Sequence, residues 1–371
     1  QAVAGALFII PFFLFSSISG QLADKYDKAL IARLIKVFEL LLMILGGWTL
    51  YRGDVWSMMI ILMGMGIHST FFGPIKYAIL PDHLPQDDIL SATGAIEAST
   101  FLAILLGTTL GSLAVGMNSN PSIAIILILS AAFIGLIASL FIPPAPSVLT
   151  DLKVDYFFWR STLVMIKEVK KMSAVFLCII IISWFWLIGA IILTKLPDYT
   201  HYILGASSNV FALFLALFSI GIAAGSLTIG ALLNGRINLS IVPWAMLVFS
   251  LFTFDLYWAS PSVSLTTQNA VVAENLLSLI SFFSVLNNWR IAFDLFLLAF
   301  CSGIFVVPLY AYLQIASPVD ARARTIAANN IFNALFMVLG TLLVMMLLHF
   351  HATIPHVFLI LCLLNAGAAL V

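Results

Sequence analysis

Long apolar runs separated by short polar turns set the rhythm of this chain. Mostly apolar stretches fall at about 1–19, 32–50, 55–80, 91–116, 121–142, 173–194, 208–232, 239–260, 289–316, 323–347 and 352–371. A helix needs roughly 20 such residues to cross the hydrocarbon core of a bilayer. The strands of a membrane barrel would instead alternate apolar and polar over about 10 residues. Lipid offers the backbone no hydrogen-bond partner, so these runs predict eleven spanning helices and an all-α integral membrane protein. Gln1 already lies in the first run and Val371 ends the last without a polar tail, so the chain reads as cut from a longer one. A missing first helix would bring the total to twelve.

Residues 143–172 are the longest polar interruption, opening with Pro143-Pro144-Ala145-Pro146 and carrying five basic residues with Asp151, Asp155 and Glu168. This divides the chain into an N-terminal bundle over 1–142 (helices 2–6), a central loop over 143–172 and a C-terminal bundle over 173–371 (helices 7–12). A faint repeat agrees: Gly20-Gln-Leu-Ala-Asp24 returns as Gly230-Ala-Leu-Leu-Asn234. Parallel halves of this kind place substrate at the interface between them. The short apolar stretch Leu276–Leu286 follows a polar segment and predicts an interfacial or loop helix rather than a crossing.

Composition sharpens the class. Charged residues make up 9% of the chain, against about 25% in a soluble domain. The 16 basic and 16 acidic residues cancel, so nothing points to nucleic acid or an acidic partner. Cys178, Cys301 and Cys362 sit far apart in apolar runs and read as small buried hydrophobes. If the turn around Asp24 faces the cytoplasm, twelve Lys and Arg fall on that side and only Arg52, Lys195 and Arg290 on the other, with Lys76 set aside. That asymmetry satisfies the positive-inside rule.

Two motifs carry chemistry. In Gly20-Gln-Leu-Ala-Asp-Lys-Tyr-Asp-Lys28, Gly20 permits close helix approach and Asp24 can receive N–H groups at a helix start. Lys25 and Lys28 can bond carbonyl ends, and the alternative is an ordinary turn made basic by topology. The second motif is Phe71-Phe-Gly-Pro-Ile-Lys-Tyr-Ala-Ile-Leu-Pro81. Lys76 lies inside its helix behind Gly73 and Pro74 and beside Tyr77, where a charge costs about 2.5–3.5 kcal/mol on the insertion scale. Pro74 removes a backbone donor and loosens the helix. A lysine there can hold a phosphate as a compact point charge or snorkel to the headgroups.

Glu97 sits about two turns into the next helix, at a depth like that of Lys76, and a Lys76–Glu97 pair is expected. Gly107, Gly111 and Gly116 suit close helix packing. In the second half, Tyr310, Tyr312, Gln314, Asn329, Asn330 and Asn333 put polar groups inside spans, as cavity lining or as interhelical bonds. Glu39 near Lys36, and Arg290 with Asp294, read as structural pairs, and Asp255 shows no local partner. His349 and His351 are not read as a metal site, and no cofactor is expected. No P-loop, H-E-x-x-H or G-x-S-x-G is present, and the chain is not read as an enzyme.

Gly20–Lys36, Phe71–Leu84, Glu97–Gly111, Gly303–Gln314 and Asn329–Asn333 resemble one branch of the major facilitator superfamily. That branch is the bacterial lysophospholipid transporters, in particular the form fused to an acyltransferase and an acyl-carrier-protein synthetase domain. The resemblance implies a fold of two six-helix bundles in the bacterial inner membrane. It also implies alternating access and movement of lysophospholipid, such as lysophosphatidylethanolamine, to the cytoplasmic leaflet for re-acylation. Its implied partners are that substrate, membrane lipids and a fused or associated acyltransferase. In the family the first motif locks neighbouring helices in one state, and the motif lysine, matched by Lys76, handles substrate. The family has Gly where this chain has Asp27, which puts the shape of the turn in question. An exporter of amphipathic drugs would share the fold and the first motif.

Overall fold

The computed structural model describes residues 2–116, 121–147, 149–261 and 276–370, so Gln1 and Val371 at the ends of the outer runs lie outside the described residues. The described chain is helical nearly throughout: α1 (Ala2–Lys25), α2 (Lys28–Arg52), α3 (Val55–Ala78), the single turn α4 (Leu80–His83), α5 (Gln86–Gly116), α6 (Ser122–Leu140), α7 (Phe158–Lys171), α8 (Ser173–Asp198), α9 (Ser208–Leu232), α10 (Ile241–Ala259), the short α11 (Leu279–Phe283), α12 (Leu286–Ala316), α13 (Arg322–His349) and α14 (Ile354–Ala369). A π turn, Tyr199–Ile203, extends α8, and a 3₁₀ turn, Val319–Ala321, leads into α13.

Each of the eleven apolar runs becomes one helix. Among the described residues nine are long and apolar enough to cross a membrane by length and composition. The other two are α2, which carries Arg33, Lys36 and Glu39, and the 16-residue α14. At about 1.5 Å per residue, the 24 residues of α1 outreach the roughly 30 Å hydrocarbon core.

Turn chemistry sets the breaks. Asp27 caps α2 by accepting the N–H groups of Ala29 (2.8 Å) and Leu30 (3.1 Å). Its φ of −57° suits any L residue, so the turn needs no glycine there. Gly53, in the left-handed region at φ 67°, ends α2, and Asp54 caps α3 through Trp56 and Ser57. The Ser57 hydroxyl and N–H hold the Asp54 carboxyl below its ordinary value.

Two departures from the linear pattern stand out. The central stretch 143–172 is not all loop, because α7 forms within it. Ser161, Met165 and Val169 are buried along one face of α7, while Trp159 and Leu163 remain exposed. Before α12, the described residues 276–285 form one helix, the short α11, whose Ile280 is exposed, in line with a loop helix.

Two compact units share the chain: residues 1–89, 108–181 and 312–334 form the first, and 90–107, 182–311 and 335–371 the second. In the first unit α1 lies along α3, α2 packs between α3 and α6, and α7 rests on α1, where Ser17 and Ser161 share a 2.7 Å hydrogen bond. Gln21 of α1 braces the central stretch by accepting the N–H of Asp155 at 2.8 Å.

In the second unit α9 and α12 approach through small residues. A Cβ on Gly221 would sit 2.6 Å from the Phe296 carbonyl, and one on Gly225 would run into the Phe300 carbonyl. Buried Asn365 ties three helices, donating to Met246 O (2.8 Å) and Ser250 Oγ (2.9 Å) and accepting from Trp184 Nε1 (2.9 Å). Polar side chains of this kind hydrogen-bond across helices in a membrane bundle. Cys178, Cys301 and Cys362 are buried free thiols.

Candidate functional site

The first motif does more than turn the chain. Asp24 sits in the last turn of α1, the unfavourable end of that helix for an acid. Its side chain reaches the first turn of α13, the favourable end. There the carboxylate accepts the N–H groups of Ala323 (2.9 Å) and Arg324 (3.3 Å) and takes Arg324 Nε at 2.8 Å. Gly20, one turn earlier, lets the two backbones meet, since a Cβ there would lie 2.7 Å from Arg324 Cα.

Lys28 is not on a carbonyl end. Its ammonium lies 2.9 Å from Asp82 Oδ2. The other oxygen of Asp82 lies 3.2 Å from Arg322 Nη1, and Arg322 Nε donates to the carbonyl of Gln314 at 3.0 Å. Lys25 rests over the Tyr26 ring, 5.6 Å from its centroid. The central stretch closes this network: Lys28 N–H donates to the Ala145 carbonyl (3.0 Å) and Ser147 Oγ to the Asp24 carbonyl (2.8 Å).

Asp82, Arg322 and Arg324 entered the sequence reading, if at all, as topology charges. One signal was available. Two arginines in the first turn of α13 oppose the helix dipole, so a carboxylate had to hold them.

Above this network lies the second motif. Pro74 has no N–H to give the carbonyl four residues back, that of Thr70. Ser19 of α1 supplies the missing donor, with its hydroxyl 3.1 Å from Thr70 O and 3.4 Å from Phe71 O. Gly73 faces α13 so closely that a Cβ would lie 2.7 Å from Asn330 Nδ2, a buried nitrogen with no hydrogen-bond acceptor among the described residues. Lys76 is half-buried, with its ammonium 4.7 Å from the Tyr77 ring centroid, and Tyr77 itself is buried. The first unit therefore contains Gly73, Pro74, Lys76, Tyr77, Gln314, Asn330 and Asn333, with Gln314 fully buried and Gly73 against Asn330. Glu97, fully buried, belongs to the second unit. A cavity of about 610 Å³ opens beside Gln21 and Arg324, lined by charges of both signs from the central stretch and α7.

The second-half charges are rearranged relative to the sequence reading. Arg290 pairs across helices with Asp255, its Nε 2.7 Å from Asp255 Oδ2, rather than with Asp294 on its own helix. Asp255 thus has its partner, and Asp294 is buried beside the two. Tyr310 accepts from Trp186 Nε1 at 2.8 Å. Gly230, the repeat counterpart of Gly20, also marks a close approach: a Cβ would lie 2.6 Å from Ser91 Oγ of α5. Asn234 does not copy Asp24; it takes a left-handed φ of 50° past the end of α9. Among the described residues no group of three or more His, Cys, Asp or Glu is placed to hold a metal ion.

The described residues are those of an all-helical membrane protein with a carboxylate–arginine network between α1 and α13 and a lysine-bearing helix, α3, interrupted by Pro74. Comparison with known proteins is specific about the family. The Major Facilitator Superfamily model matches residues 1–283, and the chain belongs to that superfamily. It is similar to the lysophospholipid transporter LplT of Photorhabdus laumondii, at 31% identity over 41% of this chain and 36% of that one, so this match spans only about a third of the relative. It is also similar to the lysophospholipid transporter LplT of Cronobacter sakazakii, at 24% identity over 89% of this chain and 74% of that one. Among solved structures, the human organic anion transporter MFSD10 superposes with a TM-score of 0.72 at 14% identity, covering 99% of this chain and 82% of that one. The E. coli fucose:proton symporter FucP superposes with a TM-score of 0.73 at 9% identity, covering 100% and 89%. At these identities the two structures speak for the fold alone.

Proposed function

We propose that this chain moves lysophospholipid across a bacterial inner membrane to the cytoplasmic leaflet, by alternating access between two six-helix halves. Lys76 holds the phosphate in this reading. The observation that carries it is the build of the helix around that lysine. Pro74 opens the hydrogen-bond ladder, Ser19 covers one freed carbonyl, and Gly73, three residues before the half-buried Lys76, admits the Asn330 amide. A cation held part-buried in a helix loosened by proline suits an anionic headgroup. The distant relatives named for lysophospholipid transport support the same cargo. Gly20, Asp24, Lys25 and Lys28 serve the latch: the Asp24–Arg324 contact holds α1 and α13 together in one state and parts in another. Re-acylation falls to an acyltransferase, fused or separate.

The test is uptake of labelled lysophosphatidylethanolamine by proteoliposomes. Lys76→Met removes a charge-assisted bond worth about 1.5–3 kcal/mol, so apparent affinity should fall roughly tenfold to a hundredfold with the melting profile unchanged. Uptake equal in both proteins removes Lys76 from the site. Wild-type protein that ignores lysolipid but exports amphipathic drugs replaces the cargo altogether.

A further inference from the structure

The helix within the central stretch presents two apolar rows, and α1 covers one of them. Ser161, Met165 and Val169 of α7 are buried, and Ser161 shares its hydrogen bond with Ser17 of α1. Trp159, Leu163, Ile166 and Lys170 follow at i, i+4, i+7 and i+11 and so share another face of the same helix. Trp159 is 63% exposed and Leu163 57%. Tyr156 and Phe157, just ahead of the helix, are exposed as well, and the Phe158 ring lies 4.8 Å from that of Trp159. Charge gathers on the same flank. Asp155 lies 3.5 Å from Arg160 and Glu168 2.7 Å from Lys171, so those two acids are engaged. Lys167 and Lys170 have no ion-pair partner among the described residues, and Lys170 lies 5.8 Å from the Phe176 ring centroid. The helix is also tethered. It ends at Lys171, and α8, long and apolar enough to span, begins at Ser173. A single residue, about 3.8 Å of chain from one Cα to the next, separates the two.

We propose that the Trp159–Leu163 flank of α7 lies in the headgroup layer of the membrane that α8 spans, with Lys167 and Lys170 on the phosphates of anionic phospholipids. A helix tied to a span by one residue has lipid within reach at all times, which no soluble partner matches. An apolar row edged by lysine, with aromatic rings at its start, is the pattern of a helix that lies in the interface about 5–10 Å into the headgroup and acyl boundary. The lysine stems can run along that boundary while their ammonium groups stay at headgroup level, and an anionic surface adds attraction for each one. The contact also reaches the latch. Ser161 holds Ser17, and Gln21 of α1 accepts the N–H of Asp155, so a lipid-held α7 steadies the helix whose last turn carries Asp24. The inference is independent of the cargo reading.

The experiment uses the full chain in lipid nanodiscs, carrying a nitroxide at Leu163→Cys or, on the other side of the helix, at Glu168→Cys. Cys178, Cys301 and Cys362 are buried, and protein without either substitution gives the background. In discs of phosphatidylcholine mixed with phosphatidylglycerol, the label at position 163 should be open to oxygen and shielded from a water-soluble nickel chelate. The label at position 168 should be open to nickel. Equal nickel access at both positions places the flank in water, and a position-163 label closed to both reagents places it against protein; either result overturns the proposal. Lys167→Gln and Lys170→Gln, both at exposed positions, test the headgroup contact. Each should lower the ratio of lipid-embedded to water-exposed label about fivefold in the anionic discs and leave it unchanged in discs of phosphatidylcholine alone. A ratio that ignores both the lipid charge and the two lysines overturns the anionic-lipid contact.

Discussion

Removing the Asp24 carboxylate should cost this structure more than removing any exposed charge. Asp24 is about 2% exposed at its side chain, while Arg324 is 28% exposed. Breaking a buried ion pair by deleting one partner costs about 3–5 kcal/mol, and the half-open position of Arg324 places Asp24→Ala near the lower figure. Two backbone N–H groups at the start of α13 also lose their acceptor, a capping loss of about 1 kcal/mol that is already part of that total. A shift of about 3 kcal/mol alters the population of the latched state roughly hundredfold. The assay is a double-mutant cycle with Arg324→Ala, read by thermal or denaturant unfolding in detergent. The two changes should couple by at least about 1 kcal/mol. The Arg160–Asp155 pair, 3.5 Å apart and largely exposed, is the internal control and should couple by no more than about 1 kcal/mol. Additivity of Asp24→Ala and Arg324→Ala within about 0.5 kcal/mol would refute the latch as an energetic contact.

Four further outcomes follow from the geometry. Asp82→Asn strands Lys28 and Arg322, both nearly buried, and should lower stability by about 3 kcal/mol or more, with Asp82→Glu restoring part of it. Ser19→Ala leaves the Thr70 carbonyl freed by Pro74 without its donor, a loss of about 1–3 kcal/mol that Ser19→Thr should recover; equal melting of Ser19→Ala and wild type removes that role. Gly225→Ala drives a methyl into the Phe300 carbonyl and should cost about 1–3 kcal/mol. Gly107→Ala meets nothing within 4 Å and should be neutral or gain up to about 1 kcal/mol from helix propensity.

Much of this protein was legible along the chain. Apolar length alone yields every long helix, because lipid leaves the backbone only its own partners. Gly20 and Pro74 declare their roles locally, one by lacking a side chain and the other by lacking an N–H. Asp24 as an acceptor at a helix start follows from its placement at the wrong end of its own helix. The partners were not legible. That Ser19 serves Thr70, that Asp82 bridges Lys28 and Arg322, and that Arg290 chooses Asp255 over Asp294 all join residues far apart in sequence. Helical spacing reports which face a side chain occupies but not which helix lies against that face. His68 drew no attention because a lone histidine in an apolar run has no pattern, and only the approach of α2 makes it a neighbour of Glu39. What the chain decides by itself is where each helix begins and ends. What the tertiary structure decides is which scarce charges meet across helices, since a charge in a membrane needs a counterpart and the linear order does not name it.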